Sequence, residues 1–222
     1  MKRAIQWDAI FYSLKVWRRK LSIDEPSVST VAERHRRDPW AVLVSTILSL
    51  RTKDEVTLVT SKRLLEKAPC PADLLAMKEE DVAALAYPAG FYRTKAASLK
   101  KIAAILIEQY NGNVPAEMDA LLDLPGVGRK TANLVLIEAF GKAGVCVDIH
   151  VHRITNRAGW LESKSPDETE MILREILPSK YWKSINALLV LYGQRLCRPV
   201  SPFCSLCVIK GHCARIGVPR SR

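Results

Sequence analysis

The sequence predicts an all-α protein, on three observations. Apolar residues recur at helical spacing through most of the chain, strand-like alternation is nearly absent, and prolines and glycines fall where helices would start or stop. Of the 222 residues, 48% are hydrophobic, enough for a substantial core and too many for a disordered tail. No apolar run reaches the roughly 18 to 20 residues of a membrane helix. The N-terminal Met-Lys-Arg-Ala-Ile-Gln-Trp lacks the apolar stretch and cleavage site of a signal peptide. The expectation is an intracellular protein with no membrane partner.

Taken in order, Trp7, Ile10, Phe11, Leu14 and Trp17 share one face of a first helix ending near Arg19. Asp38-Pro39 supplies an N-cap and a first-turn proline for Trp40 to Leu50, which is apolar nearly all round and should be central and buried. Further helices are expected from about Asp54 to Lys67, from near Pro71 and from near Glu79, with Pro69 and Pro88 as punctuation. Leu99, Ile102, Ala103, Leu106 and Tyr110 face one way before Asn111-Gly112-Asn113 stops their helix. A short apolar helix precedes Pro125 and another follows Gly128; a helix begins near His150, and Ser165-Pro-Asp-Glu168 reads as a capping box. Ile185, Leu188, Leu189 and Tyr192 line the last long helix, for about ten in all, with no repeat or low-complexity segment.

Lys and Arg outnumber Asp and Glu by 34 to 23, giving +11 at pH 7. That balance suits a polyanionic partner through counterion release, and equally an ordinary basic protein, so charge alone does not choose. Six cysteines in a secreted chain would suggest disulfides. Here Cys197, Cys204, Cys207 and Cys213 follow C-x6-C-x2-C-x5-C, the spacing of a metal site, for which zinc and an iron–sulfur cluster both remain open. Cys70 and Cys146 read as ordinary small apolar residues.

The most informative stretch is Leu121-Leu-Asp-Leu-Pro-Gly-Val-Gly-Arg-Lys-Thr-Ala132. Two glycines around one small apolar residue permit a tight turn, and the helix that follows presents N–H groups at its N-terminus, a site for an anion such as phosphate. A tight helix–helix turn alone would explain a bare Gly-x-Gly. The apolar residues at 121, 124 and 127, with Pro125 and Thr131-Ala132, make the pattern more specific, and it resembles the helix-hairpin-helix element of DNA repair glycosylases. The resemblance implies phosphate contacts from Leu124, Pro125, Gly126, Val127, Gly128, Arg129 and Thr131, without sequence readout.

Lys130 lies in this element, and Asp148 follows in Val145-Cys-Val-Asp-Ile-His-Val-His-Arg-Ile154. The pair of motifs resembles the endonuclease III family residue for residue, and the likeness covers about residues 30 to 215, including Ile47 to Asp54, Ala89 to Ala96 and Gly112 to Pro115. It implies a two-lobed helix-hairpin-helix DNA glycosylase fold with a C-terminal iron–sulfur cluster loop. Residues 30–140 would form a helical barrel carrying the hairpin at about 119–140. Residues 1–29 with 141–222 would form a second helical lobe holding a [4Fe–4S] cluster on the four cysteines of 197–213. It also implies a bifunctional DNA glycosylase and AP lyase that removes oxidised pyrimidines, with Lys130 as nucleophile and Asp148 as its partner. The expected substrate is double-stranded DNA containing damaged bases or abasic sites, met by a monomer.

An amine can displace a base at C1′, form a Schiff base and acidify the C2′ proton for β-elimination, which fits Lys130 independently of the likeness. Taken alone, Lys130 would read as a phosphate contact, and Asp148 as an N-cap for the helix after it. As a partner in the chemistry, Asp148 would accept a proton or offset oxocarbenium charge; sequence leaves both open. His150 and His152 read as structural or backbone-contacting. Arg51 aligns with the family's base-wedging loop, where glutamine is frequent, and Phe91 with its second intercalating loop. The alternatives are a surface arginine and a core phenylalanine. Between the first two cysteines, Arg198 is the single basic residue where the family often has several; Lys210, His212 and Arg215 lie farther along.

Two rivals carry weight. Adenine-removing mismatch glycosylases share the hairpin and cysteines but place a glutamate where this chain has Ser45, and they lack the lysine. A non-enzymatic hairpin module with a zinc tail would not explain Lys130 together with Asp148.

Overall fold

The computed structural model describes residues 4–21 and 27–222; residues 1–3, part of the N-terminal stretch read above, and 22–26 lie outside the described residues. Among the described residues there are twelve α-helices, three short 3-10 turns and no strand. None of these helices is long and apolar enough to cross a membrane. The chain divides into two compact units, residues 25–142 and residues 1–24 with 143–222.

The unit of residues 25–142 is built on α3 (Pro39–Ser49), in which Trp40 to Leu48 are all buried. Asp38 caps it as its position predicts, the carboxylate accepting from the Ala41 N–H at 2.8 Å. The Trp40 indole donates to the Ala68 carbonyl, the polar partner a buried tryptophan needs. Around it stand α4 (Asp54–Lys67), α5 (Pro71–Ala76), α6 (Glu79–Ala86) and α7 (Tyr92–Tyr110), whose buried face carries Leu99, Ile102, Ala103 and Leu106. Each such leucine or isoleucine contributes about 1.5–3 kcal/mol by burial. Helix α7 stops at Asn111, which is left-handed (φ 52°), where the Gly112 N–H returns to the Leu106 carbonyl. Helix α2 (Ser27–Arg34) departs from the expected set. Its buried face is Ser27, Val28, Val31 and Ala32, too small and too mixed to register as an apolar stripe.

Three cations close helix ends in this unit. Lys100 donates to the Leu75 and Met77 carbonyls after α5, and Arg63 to those of Leu85 and Tyr87 after α6. Lys95 does the same for Leu48 and Leu50 at the end of α3. The last carbonyls of a helix have no partner within it and carry its negative dipole end, so an ammonium or guanidinium satisfies both needs. The unit is completed by α8 (Met118–Leu122) and α9 (Arg129–Glu138).

The other unit joins α1 (Trp7–Arg19) to α10 (Ile149–Ala158), α11 (Pro166–Ile176) and α12 (Trp182–Arg195). Trp7, Ile10, Phe11 and Leu14 are buried as their spacing predicts, Phe11 stacks on Tyr181 at 3.9 Å, and Trp17 meets the edge of Tyr192. Ile185, Leu188, Leu189 and Tyr192 form the buried face of α12. Ser165 caps α11 by accepting from the Glu168 N–H, while the Glu168 carboxylate reaches the N–H of Lys164, one residue beyond the expected box. Of the two cysteines read as ordinary small apolar residues, Cys146 is buried and Cys70 is exposed, its thiol donating to the Asp73 carboxylate. At the N-cap of a short, proline-started helix it has no core to enter.

Candidate functional site

Helix α8 runs into Leu124-Pro125-Gly126-Val127, where the Val127 N–H closes on the Leu124 carbonyl at 3.1 Å. Gly126 has φ 81°, and proline followed by a residue at positive φ is the chemistry of a type II turn. Gly128 differs. Its φ is −96°, and a Cβ there would meet nothing within 4 Å, so the fold itself does not require glycine at this position. Gly128 is the N-cap of α9 and supplies no side-chain cap, leaving the start of a ten-residue helix to an outside acceptor.

Leu121, Leu124, Val127 and Thr131 are buried. The side chains of Leu124, Val127 and Thr131 thus hold the hairpin together, which leaves their backbone for the phosphate contact expected of them. Pro125 and Arg129 are half-buried, and Gly126 and Gly128 exposed. Lys130, half-buried, occupies the first turn of α9 in this unit, and Asp148 belongs to the other.

Asp148 is the N-cap of α10, one carboxylate oxygen accepting from the His150 N–H at 2.8 Å and the Val151 N–H at 3.0 Å. This fixes the side chain's direction while its other oxygen accepts no hydrogen bond among the described residues. Ser45, where a mismatch adenine glycosylase would carry glutamate, is fully buried and bonds to the Val42 carbonyl in its own helix. His152 lies in a polar network with Thr169, Asn156 and Ser163, a structural placement, and His150 contacts the Arg153 guanidinium.

Arg51 and Phe91, 40 residues apart in sequence, come together: the guanidinium lies 5.4 Å from the ring centroid. Both are exposed and both have left-handed backbone, φ 52° and 56°. Phe91, 63% exposed, is not a core residue. Gly90 allows their loops to touch, since a Cβ there would lie 2.5 Å from the Arg51 carbonyl oxygen. Sequence reasoning missed the polar supports beneath them: Thr52, whose hydroxyl accepts from the Gly90 N–H, and Lys95. The available signal was a lysine four residues before Leu99 on the apolar face of α7.

Cys197, Cys207 and Cys213 pack against the core of their unit. Arg157, itself buried, donates to the Cys197 sulfur at 3.3 Å and to the carbonyls of Arg198 and Pro199, and the Tyr192 hydroxyl donates to the Cys207 sulfur at 3.1 Å. Burial pushes the Cys197 and Cys213 thiols up, and Cys213 is raised further by the nearness of Cys207, Cys197 and Cys204, so the four sulfurs share one region. Among the described residues, no three His, Cys, Asp or Glu side chains are grouped so as to hold a single metal ion. Arg198, the one cation between the first two cysteines, lies over the Phe203 ring.

Comparison with known proteins agrees with this geometry. Residues 44–179 match the model of the HhH-GPD superfamily base excision DNA repair proteins. The chain is 48% identical to the Endonuclease III of Thermotoga maritima over 176 residues, which is 79% of this chain and 83% of that protein. It resembles the solved structure of a non-covalent endonuclease III–DNA complex with a TM-score of 0.81 at 32% identity, covering 95% of this chain and 96% of that one. A trapped endonuclease III–DNA covalent intermediate gives a TM-score of 0.75 at 36% identity, covering 80% of this chain and 84% of that one. The hairpin, the helices around it and these relatives lead to one conclusion: the chain belongs to the endonuclease III family, within the HhH-GPD superfamily of base excision DNA repair proteins.

Proposed function

We propose that this base-excision glycosylase is bifunctional, removing oxidised pyrimidines from double-stranded DNA through a Schiff base on Lys130 and nicking the strand by β-elimination. The observation that carries the reading is Lys130 itself. It stands in the first turn after an uncapped, phosphate-ready hairpin, in a chain 36% identical to an endonuclease III caught as a covalent intermediate with DNA.

The steps follow from the residues. Backbone N–H groups at the start of α9 hold a phosphate, and the +11 charge supplies the salt-dependent remainder of binding. The damaged nucleotide leaves the stack, with Arg51 and Phe91 filling the gap. An ammonium is not a nucleophile, so Lys130 first gives up a proton. Its amine then bonds to C1′, and the base departs with the glycosidic electron pair and gains a proton. The C1′–O4′ ring bond then breaks, O4′ taking its electron pair and a proton from the nitrogen, and the nitrogen lone pair closes an iminium at C1′ that acidifies the C2′ proton. Removal of that proton forms the C2′–C3′ double bond as the C3′–O bond breaks and the 3′-phosphate leaves; water then releases Lys130. Asp148, aimed by α10, accepts a proton or offsets the oxocarbenium charge.

Cys197, Cys204, Cys207 and Cys213 would hold a [4Fe–4S] cluster. The four half-buried cysteines lie within 17 residues at the end of a chain of the endonuclease III family, and it is that likeness that favours the cluster over a lone zinc. Bound there, the cluster would tie the loop together with four iron–sulfur bonds, and none of the steps above draws on it for electrons. The same reading has the protein act as an intracellular monomer.

Borohydride reduction on damaged duplex tests the central assignment. Wild-type protein should be trapped covalently, and Lys130→Gln should lose trapping, excision and nicking while duplex binding persists, because one charge among many phosphate contacts is lost. Wild-type levels of adduct from that variant would assign the chemistry to another amine.

A further inference from the structure

Lys95 is a buried cation that none of the steps above uses. It sits in the first turn of α7, 6% exposed, on the face that buries Leu99 and Ile102. An ammonium there has lost its hydration and persists only if its three protons find acceptors. They do: the Leu48 carbonyl at 2.8 Å, the Leu50 carbonyl at 2.6 Å and the Thr52 hydroxyl at 2.9 Å. Two of these oxygens close the end of α3. The third, on Thr52, also receives the Gly90 N–H at 3.0 Å. One ammonium and one hydroxyl thus join the loop carrying Arg51 to the loop carrying Phe91. Gly90 lets the two backbones meet, since its missing Cβ would strike the Arg51 carbonyl.

Both tip residues pay a conformational cost to stand as they do. Left-handed backbone in a non-glycine residue is strained and persists only where the surroundings enforce it. Arg51 and Phe91 are exposed, so their own packing does not enforce it; the polar link beneath them does.

We infer that Lys95 is a positioning residue for strand penetration: through Thr52 and Gly90 it fixes the Arg51 and Phe91 loops as one wedge, so that the pair enters the duplex without first having to be ordered. This rests on reading Arg51 and Phe91 as the groups that fill the gap. The wedge matters only while an opposing base must be held off. A lesion paired with a base should therefore depend on Lys95, and the same lesion opposite an abasic-site analogue should not.

The test is single-turnover excision of thymine glycol in two duplexes, one with adenine opposite and one with an abasic-site analogue opposite. Lys95→Met keeps the unbranched stem of the side chain, one atom shorter, and removes the charge. It should lose roughly tenfold on the paired substrate, the scale of leaving buried acceptors without a charged donor, and under about threefold on the unpaired one. Thr52→Val cuts the same link isosterically and should show the same selectivity, so the proposal remains testable if Lys95→Met does not fold. The double variant Arg51→Ala with Phe91→Ala separates the two levels. If it is selective while Lys95→Met and Thr52→Val slow both substrates equally or neither, Lys95 is structural and the inference is overturned with the wedge intact. If the double variant is itself unselective, the wedge reading fails and takes the inference with it.

Discussion

Replacing each hairpin glycine by alanine separates a residue the fold needs from one the ligand needs. At Gly126 the obstacle is the backbone: φ 81° lies in the left-handed region, although the nearest atom to a Cβ, the Ser98 hydroxyl, is an ordinary 3.6 Å away. Alanine there should cost about 1–2 kcal/mol. In a chain of this size that lowers the melting temperature by roughly 2–8 °C. At Gly128 the backbone is extended, φ −96° and ψ 177°, and a Cβ meets nothing. The gain in unfolded-state restriction and the loss of a tolerant N-cap nearly cancel, leaving stability within about 0.5 kcal/mol. The new methyl instead stands at the open end of α9. If it displaces a phosphate from one charge-assisted hydrogen bond, about 1.5–3 kcal/mol is lost, or roughly ten- to hundredfold in affinity. Thermal melts and duplex titrations at fixed salt measure both quantities. A Gly128→Ala protein that binds undamaged duplex as tightly as wild type would refute the reasoning, since the hairpin would then be only a turn.

Asp148 has two separable roles. Asp148→Asn keeps an N-cap and should melt near wild type, whereas Asp148→Ala should lose about 1 kcal/mol with the cap; both should excise slowly, and Asn should retain some borohydride trapping. Equal stability of the two variants in a thermal melt would exclude the capping role. Anaerobically purified protein should absorb near 400 nm and contain about four irons per chain, and stoichiometric zinc without iron would reverse the assignment of the cysteines. Lys95 links stability to pH. Burial pushes it down to about 8 from its ordinary 10.5, while the three oxygens around it favour the charged form, so it is an ammonium at pH 7. Between about pH 8 and 10.5 the unfolded chain then holds a proton that the folded chain has released. Stability of wild type relative to Lys95→Met should therefore rise through that window and stay level below it; a difference that is flat across the window in denaturant titrations would show that the acceptors restore the ordinary value.

Local order was legible in the sequence wherever one residue's chemistry decides it. The all-helical class followed from spacing: Trp7, Ile10, Phe11 and Leu14 are buried as their period requires, and Trp40 to Leu48 are buried all round. Asp38, Ser165 and Asp148 cap the helices they precede because a short oxygen-bearing side chain reaches the first free N–H groups. The hairpin was legible for the same reason, being a short stretch whose Pro-Gly turn carries its geometry.

Tertiary structure decided what depends on residues distant in sequence. It made Leu124, Val127 and Thr131 the interior of the hairpin, left Cys70 outside the core and set Phe91 against Arg51. It also turned Lys95, by sequence a misplaced charge on an apolar face, into the link between two loops. The physical reason is that a buried cation is tolerated only where three acceptors converge. Carbonyls at the end of α3 and a hydroxyl on the loop after it can converge on α7 only once the helices have packed.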